Sequence, residues 1–226
     1  MAAMFNSIAT TYDIVNKISS LGLDSYWRNK IIQSIQNTNA QQVLDIACGT
    51  GVVSWTLYRK LHLEVTGLDL SAQMLKEAEK KRARYSIPNS PAPLFIEGCA
   101  ELLPFANQSF DAVTITFGVR NFENRTKAFQ QIYRVLRPNG HLLILDFATP
   151  KNRFWKLFFH AYFWGILPLF GRMVSGNKNA YRYLPRSVAN FPQYQALCAE
   201  LNSAGFSKVQ SQSFTGGVAV LYTGIR

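Results

Sequence analysis

The chain has 226 residues, 48% hydrophobic and 16% charged, a balance that excludes intrinsic disorder and collagen-like structure and suits one α/β domain with a sizeable core. Its formal net charge of +11 is uneven: residues 1–150 carry 15 basic and 12 acidic side chains, whereas residues 151–226 carry nine basic ones against Glu200 alone. A basic C-terminal third suits a polyanionic neighbour, either nucleic acid or an anionic membrane surface.

Strand-like and helix-like runs alternate along the chain, the pattern of a largely parallel sheet with crossover helices. Residues 1–38 read as helical. Val43–Ala47 is a buried first strand, followed by a Gly-rich turn and a helix over Val52–Leu61. Leu63–Asp69 is a second strand, and Ser71 caps a helix reaching about Arg84. Leu94–Ile96 and Phe110–Thr116 are strands, Arg125–Leu136 a helix and His141–Phe147 a fifth strand, with Pro138-Asn139-Gly140 as the turn before it. After a helix over Gln193–Ala204, Ser207–Phe214 and Val218–Ile225 form a hairpin through Thr215-Gly216-Gly217. The expected fold is a doubly wound, mostly parallel seven-stranded sheet with an antiparallel C-terminal strand, in one domain over 1–226. Residues 1–38 and an aromatic and basic insertion at 148–190 are expected to cover the crevice beyond the carboxyl ends of the strands, where such folds bind ligands.

Asp45-Ile-Ala-Cys-Gly49-Thr50-Gly51 follows a strand and opens a helix, so its glycines let the backbone turn tightly and approach a ligand. Eighteen residues after Gly51, Asp69 ends the second strand, where a carboxylate can accept from both ribose hydroxyls. A dinucleotide site prefers a third glycine, and that position is Ser54. Asp45 would repel a pyrophosphate but attract a methionyl ammonium or a sulfonium. The pattern therefore favours S-adenosyl-L-methionine over NAD. Cys48, Cys99 and Cys198 are odd in number and outside any CxxC pattern, and His62, His141 and His160 lack metal-ligand spacing. Neither a disulfide framework nor a metal is expected, a reducing, cytoplasmic setting fits, and Met1–Ser7 has no export-signal character.

These motifs resemble class I methyltransferases, and further stretches narrow the resemblance to the ubiquinone/menaquinone biosynthesis C-methyltransferase family. They are Tyr12-Asp13-Ile-Val-Asn16 with Trp27, Ala100-Glu101-Leu-Leu-Pro104-Phe105, Phe117-Gly118-Val119-Arg120-Asn121, Arg134-Val-Leu-Arg-Pro138-Asn-Gly140, Leu201-Asn-Ser-Ala204-Gly205-Phe206 and Gly217-Val218-Ala219. Phe-Gly-Val-Arg-Asn is the most specific of them. The resemblance implies methyl transfer from the sulfonium of S-adenosylmethionine to a ring carbon of a prenylated quinol. It implies cofactor contacts at Thr50, Asp69, Cys99, Ala100 and Thr116, beside the loop residues Asp45, Gly49 and Gly51. Cys99 stands where the family has Asn or Asp, and a thiol is a weak acceptor, so adenine recognition there is expected to rest on backbone groups. Val15, Asp24, Asn139 and Asp146 replace the family's Met, His, Gly and Glu.

Carbon becomes nucleophilic only when a ring hydroxyl ionises. Arg120 is expected to stabilise the developing oxyanion and Asn121 to orient a hydroxyl or a water, with Tyr12 as a further partner in proton transfer. Arg120→Ala is then expected to spare cofactor binding and nearly abolish turnover. In the insertion, Phe154/Trp155, Phe158/Phe159 and Tyr162/Phe163 recur every four residues and share one helical face, read either as core or as an interfacial helix admitting a polyprenyl tail. Basic residues around it suit transient contact with an anionic membrane surface. No Asn/Asp-Pro-Pro-Tyr stretch follows Thr116, which argues against methylation of a base nitrogen, with RNA carbon or ribose methylation left open; nucleic acid is not the expected partner. RNA methylation by the same fold, or a non-catalytic basic adaptor, are the alternatives.

Overall fold

A computed structural model describes residues 2–20, 22–162 and 185–226. Three helices come first: α1 (Ala2–Ile8), α2 (Tyr12–Ser19) and α3 (Leu23–Gln36). Then β1 (Gln42–Ile46), α4 (Val52–Leu61), β2 (Glu64–Asp69), α5 (Ala72–Lys80), α6 (Arg82–Tyr85) and β3 (Leu94–Glu97) build one half of the sheet. The other half is β4 (Phe110–Thr116), α7 (Arg125–Val135), β5 (Leu136–Phe147), α8 (Arg153–His160), α9 (Gln195–Ser203), β6 (Ser207–Phe214) and β7 (Ala219–Ile225). Residues 185–190 are also helical.

The strand order is β3-β2-β1-β4-β5-β7-β6. All neighbours pair in parallel except β7, which runs antiparallel to both β5 and β6. The expected topology is therefore present. Side-chain alternation along the inner strands divides the core into two layers. Leu44, Ile46, Val113, Ile115, Leu142 and Ile144 face the layer of α7 and α9, while Val43, Ala112, Leu143 and Leu145 face that of α3 and α4. Order reverses between β1 and β4, so the crevice opens at the carboxyl ends of those two strands.

Some expected details are corrected. Pro138-Asn139-Gly140 is no turn between elements: α7 passes directly into β5, and the three residues form a bulge inside it. Leu136 pairs with Phe110 and His141 with Ala112, so five steps on β5 span two on β4. The Asn139 N–H donates to the Arg226 carbonyl, and the Arg226 N–H returns a bond to the Gly140 carbonyl. The helix capped by Ser71, whose Oγ accepts from the Met74 N–H at 3.2 Å, stops at Lys80 and restarts as α6.

The aromatic stripe of α8 is divided rather than united. Phe159 is buried against Val188, with Phe147, Tyr162 and Val218 packed around it. Trp155 lies over Gly216, where any Cβ would sit 2.4 Å from the indole. Phe154 and Leu157 face outward, each 73% exposed. Residues 163–184 of that insertion, among them Phe163, Arg172, Lys178 and Arg182, lie outside the described residues, as does the Phe158 side chain.

Candidate active site

Two bulky turns shape the crevice. Ala47, just after β1, and Phe117, just after β4, both adopt left-handed backbone (φ 54° and 57°), a conformation costly for side chains larger than glycine and concentrated at functional sites. They lie back to back, since a Cβ on Gly118 would come within 2.4 Å of the Ala47 Cβ. Glycine at 118 is thus required by close approach. The Phe117 ring stacks on Phe147 at 4.5 Å, and Trp27 of α3 meets both edge-on. The Trp27 indole N–H donates to Thr215 Oγ1 at 2.9 Å, tying α3 to the β6–β7 connection.

Beyond these turns lies a cavity of about 520 Å³. Seven residues expected from the sequence line it: Tyr12, Gly49, Asp69, Cys99, Ala100, Thr116 and Asn121. Asp69 Oδ2 accepts from the Gly49 N–H at 2.8 Å and Oδ1 from the Ser71 N–H at 2.9 Å. Each carboxylate oxygen keeps a lone pair for a ligand hydroxyl. Burial raises the Asp69 carboxyl above its usual range, opposed by those backbone bonds. A Cβ on Gly49 would meet no atom within 4 Å, whereas one on Gly51 would strike the Phe95 ring at 2.8 Å. The first glycine leaves room at the cavity and the second lets α4 close on β3.

Four expected residues are elsewhere. Gly51 has the packing role just described. Asp45 is sealed beneath the loop, 1% exposed, accepting from Ser54 Oγ at 2.6 Å and Thr114 Oγ1 at 2.8 Å. It therefore braces β1, β4 and α4, and the expected encounter with an ammonium is not its observed setting. Thr50 is buried and donates through Oγ1 to Asp13 at 2.6 Å. Arg120 is corrected most. Its side chain is 5% exposed and its Nη1 bonds Asp146 Oδ1 at 2.5 Å and the Phe117 carbonyl at 2.6 Å. The guanidinium lies over the Phe147 ring, off the cavity wall, and its Nε is buried without a hydrogen-bond partner among the described residues. Sequence reasoning missed this Asp146 partnership because 26 residues separate the pair.

Other contributors were also missed. Phe5 and Phe122 line the cavity, and Glu101 accepts from the Glu123 and Asn124 N–H groups at the start of α7. Asp13, a candidate structural partner for Arg120 on sequence grounds, pairs instead with Thr50 and Lys81. Burial, with the Asp45 and Asp69 carboxylates nearby, pushes the Cys48 thiol well up, which makes it a poor nucleophile.

S-adenosylmethionine fits these residues on a direct observation: Thr116 Oγ1, on the cavity wall, is buried and has no hydrogen-bond partner among the described residues. A buried orphan hydroxyl signals a missing ligand or water. Together with the open lone pairs of Asp69 and the space at Gly49, it gives the wall acceptors and room suited to a polar nucleoside. Among the described residues no group of three or more His, Cys, Asp or Glu side chains is arranged to hold a metal ion.

The Asp45 environment carries a pH prediction. Burial pushes its carboxyl from 3.8 up to about 6. Between those values the folded chain holds a proton that the unfolded chain has released, so this group's contribution falls as pH rises from about 4 to about 6 and is level above. The expected drop is about 3 kcal/mol. Asp45→Asn should remove it, so urea unfolding from pH 4 to 7 should show the variant gaining on wild type as pH rises. A pH-independent difference would contradict this assignment.

The ubiE/COQ5 methyltransferase family matches this chain over residues 1–226. A demethylmenaquinone methyltransferase of Thermus thermophilus is 40% identical over 224 residues, 99% of this chain and 100% of that protein. A ubiquinone/menaquinone biosynthesis C-methyltransferase UbiE of Geotalea daltonii is 36% identical over 223 residues, 98% of this chain and 94% of that protein. The solved structure of an S-adenosylmethionine-dependent methyltransferase from Thermotoga maritima, a possible histamine N-methyltransferase, aligns with a TM-score of 0.64 at 18% identity, covering 100% of this chain and 99% of that one; it speaks to the fold alone. A match spanning every residue, on a sheet of this order with Asp69 and Gly49 at its switch point, means that the chain belongs to the ubiE/COQ5 methyltransferase family and is an S-adenosylmethionine-dependent methyltransferase.

Proposed function

We propose that the cavity methylates a ring carbon of a prenylated quinol, either the naphthoquinol or the benzoquinol step of quinone biosynthesis. The observation that carries the reading is a cavity lined both by polar residues, Asp69, Thr116 and Asn121, and by aromatic ones, Phe5, Tyr12, Phe117 and Phe122. Aromatic walls suit a flat, apolar ring, and a few polar groups fix its orientation. The names of the full-length relatives support the same substrate class.

Bound S-adenosylmethionine supplies a methyl group on a sulfonium. The chain must then favour ionisation of a ring hydroxyl, which costs about 4 kcal/mol at pH 7 for a phenol-like group. Asn121 holds a quinol hydroxyl or a water, Tyr12 offers a second hydroxyl, and a water carries the proton away. Arg120 stays protonated and cannot be the base. It acts by fixing the Phe117–Asn121 turn, to which it is bonded at the Phe117 carbonyl.

The prenyl tail makes membrane contact part of the proposal. No described helix is long and apolar enough to cross a membrane. On α8, exposed Phe154 and Leu157 sit among exposed Lys151, Arg153 and Lys156, a combination suited to the surface of an anionic bilayer on its cytoplasmic side.

The test is methyl transfer from labelled S-adenosylmethionine to short-chain prenylated benzoquinol and naphthoquinol, reduced and oxidised, with bulk RNA in parallel and anionic or zwitterionic vesicles added. A ring-carbon methyl formed only from reduced substrate, faster with anionic vesicles, is expected. Label on RNA alone would overturn the reading, and equal rates with both vesicle types would overturn its membrane part.

A further inference from the structure

The first two helices line the cavity through Phe5 and Tyr12, and Asp13 of α2 bonds the glycine loop. Asp13, beside Tyr12 at the start of α2, accepts from Thr50 Oγ1 at 2.6 Å through Oδ1 and from Lys81 Nζ at 2.8 Å through Oδ2. The same ammonium donates to the Thr50 carbonyl at 2.8 Å. Both polar ends of Thr50 are thus held from outside the loop, by residues 37 and 31 positions away. Thr50 stands between Gly49 and Gly51, both with left-handed backbone (φ 56° and 71°). A residue flanked by two glycines has little conformational restraint of its own, so this anchorage falls to Asp13 and Lys81.

A second polar contact holds α1. Asn6 Oδ1 accepts from Ser71 Oγ at 2.6 Å, at the head of α5. Between the two contacts lies a small apolar plug, Ile8 and Ala9 on Met74. Phe5 and Tyr12, edge-on to each other at 6.2 Å, are the faces this segment turns to the cavity.

We propose that Asp13 is a positioning residue that latches α1 and α2, as a lid, to the glycine loop, so that lid closure and loop geometry are set together when the methyl donor binds. A ligand leaving past Phe5 and Tyr12 displaces the segment that carries Asp13, which frees Thr50 in the same motion. Asp13 and Lys81 are partly exposed, 39% and 23%, so water can enter and separate them; a sealed ion pair would resist opening. The inference rests on the cavity as the S-adenosylmethionine site and adds the element that controls exchange there.

The experiment uses S-adenosylhomocysteine as the probe, with the full chain, Asp13→Ala, Asp13→Asn, Asp13→Leu and Lys81→Met. Affinity comes from calorimetry and closure from hydrogen exchange over residues 2–20 and 47–53. In wild type the ligand should slow exchange in both segments. Asp13→Ala should bind about tenfold more weakly, mainly through faster dissociation, and should lose the slowing in 2–20 even at saturation. Lys81→Met should do the same in smaller measure. Asp13→Asn, which keeps an oxygen for Thr50, should recover most of the affinity, and Asp13→Leu, which fills the space without an acceptor, should not. In turnover, Asp13→Ala should raise KM for the donor more than it lowers kcat. Wild-type binding that Asp13→Ala leaves within twofold, with slowing intact, overturns the latch alone. A wild-type chain that does not bind the probe overturns the reading of the cavity and the latch with it.

Discussion

Asp69→Ala is expected to weaken S-adenosylmethionine binding by about 10²- to 10³-fold, the equivalent of two charge-assisted hydrogen bonds to a ribose at roughly 1.5–3 kcal/mol each with partial compensation by water. The change also strands the Gly49 and Ser71 N–H groups, which both donate to this carboxylate at present. Those donors sit beside a cavity that admits water, so the loss of folding stability should be smaller, about 1–2 kcal/mol. Asp69→Asn is the informative companion. Its carboxamide can accept at only one oxygen, and its NH₂ would confront one of the two backbone donors, so an isosteric side chain should fail to rescue binding. Calorimetric titration with S-adenosylhomocysteine measures both. Affinity within fivefold of wild type in Asp69→Ala would remove this residue from the site.

The second large effect concerns Arg120 and Asp146. Removing one partner of a buried ion pair leaves the other charge uncompensated, at about 3–5 kcal/mol. Asp146→Ala should reach that range, because an Arg120 guanidinium that is 5% exposed cannot shed its proton. Arg120→Ala should cost less, since the Asp146 carboxylate still accepts from the backbone N–H groups of residues 120 and 147. The double variant Arg120→Met with Asp146→Ala should regain much of the stability lost in Asp146→Ala, because no charge is left stranded. It should not regain turnover, because the Phe117 carbonyl then loses its guanidinium donor in the turn that leads to Asn121. Urea unfolding and kcat measured on the same three proteins separate the two roles. Turnover restored in step with stability would show that the pair serves the fold alone. The sequence-based expectation for Arg120→Ala, intact binding and no turnover, is thus replaced by a joint loss of stability and turnover.

Both predictions depend on partnerships of different visibility. Asp69 was legible because a strand-ending carboxylate eighteen residues past a Gly-x-Gly turn is a local arrangement, encoded by spacing along β1, α4 and β2. The same holds for the sheet order, since apolar runs such as Val43–Ile46 and Leu142–Leu145 dictate buried parallel strands and short connections leave few topologies. Helix and strand bounds followed wherever local chemistry closes them, as at Ser71 and Asn124, whose side chains accept from Met74 and Lys127. The exception, Pro138-Asn139-Gly140, has turn chemistry but pairs with the chain end at Arg226, a contact no local reading contains.

What the sequence determined by itself was the fold, the family and seven of the residues that line the cavity, because these rest on periodicity and on motifs a few residues long. What only the tertiary structure decided was how charge is assigned. Asp45, Arg120 and Asp13 are all polar residues in motifs, yet the first is sealed against Ser54 and Thr114, the second against Asp146, and the third clamps Thr50 with Lys81. A side chain's role depends on which partner satisfies it and how far water is excluded, and both are set by elements brought together from 26 to 69 positions apart, as well as by neighbours along the chain.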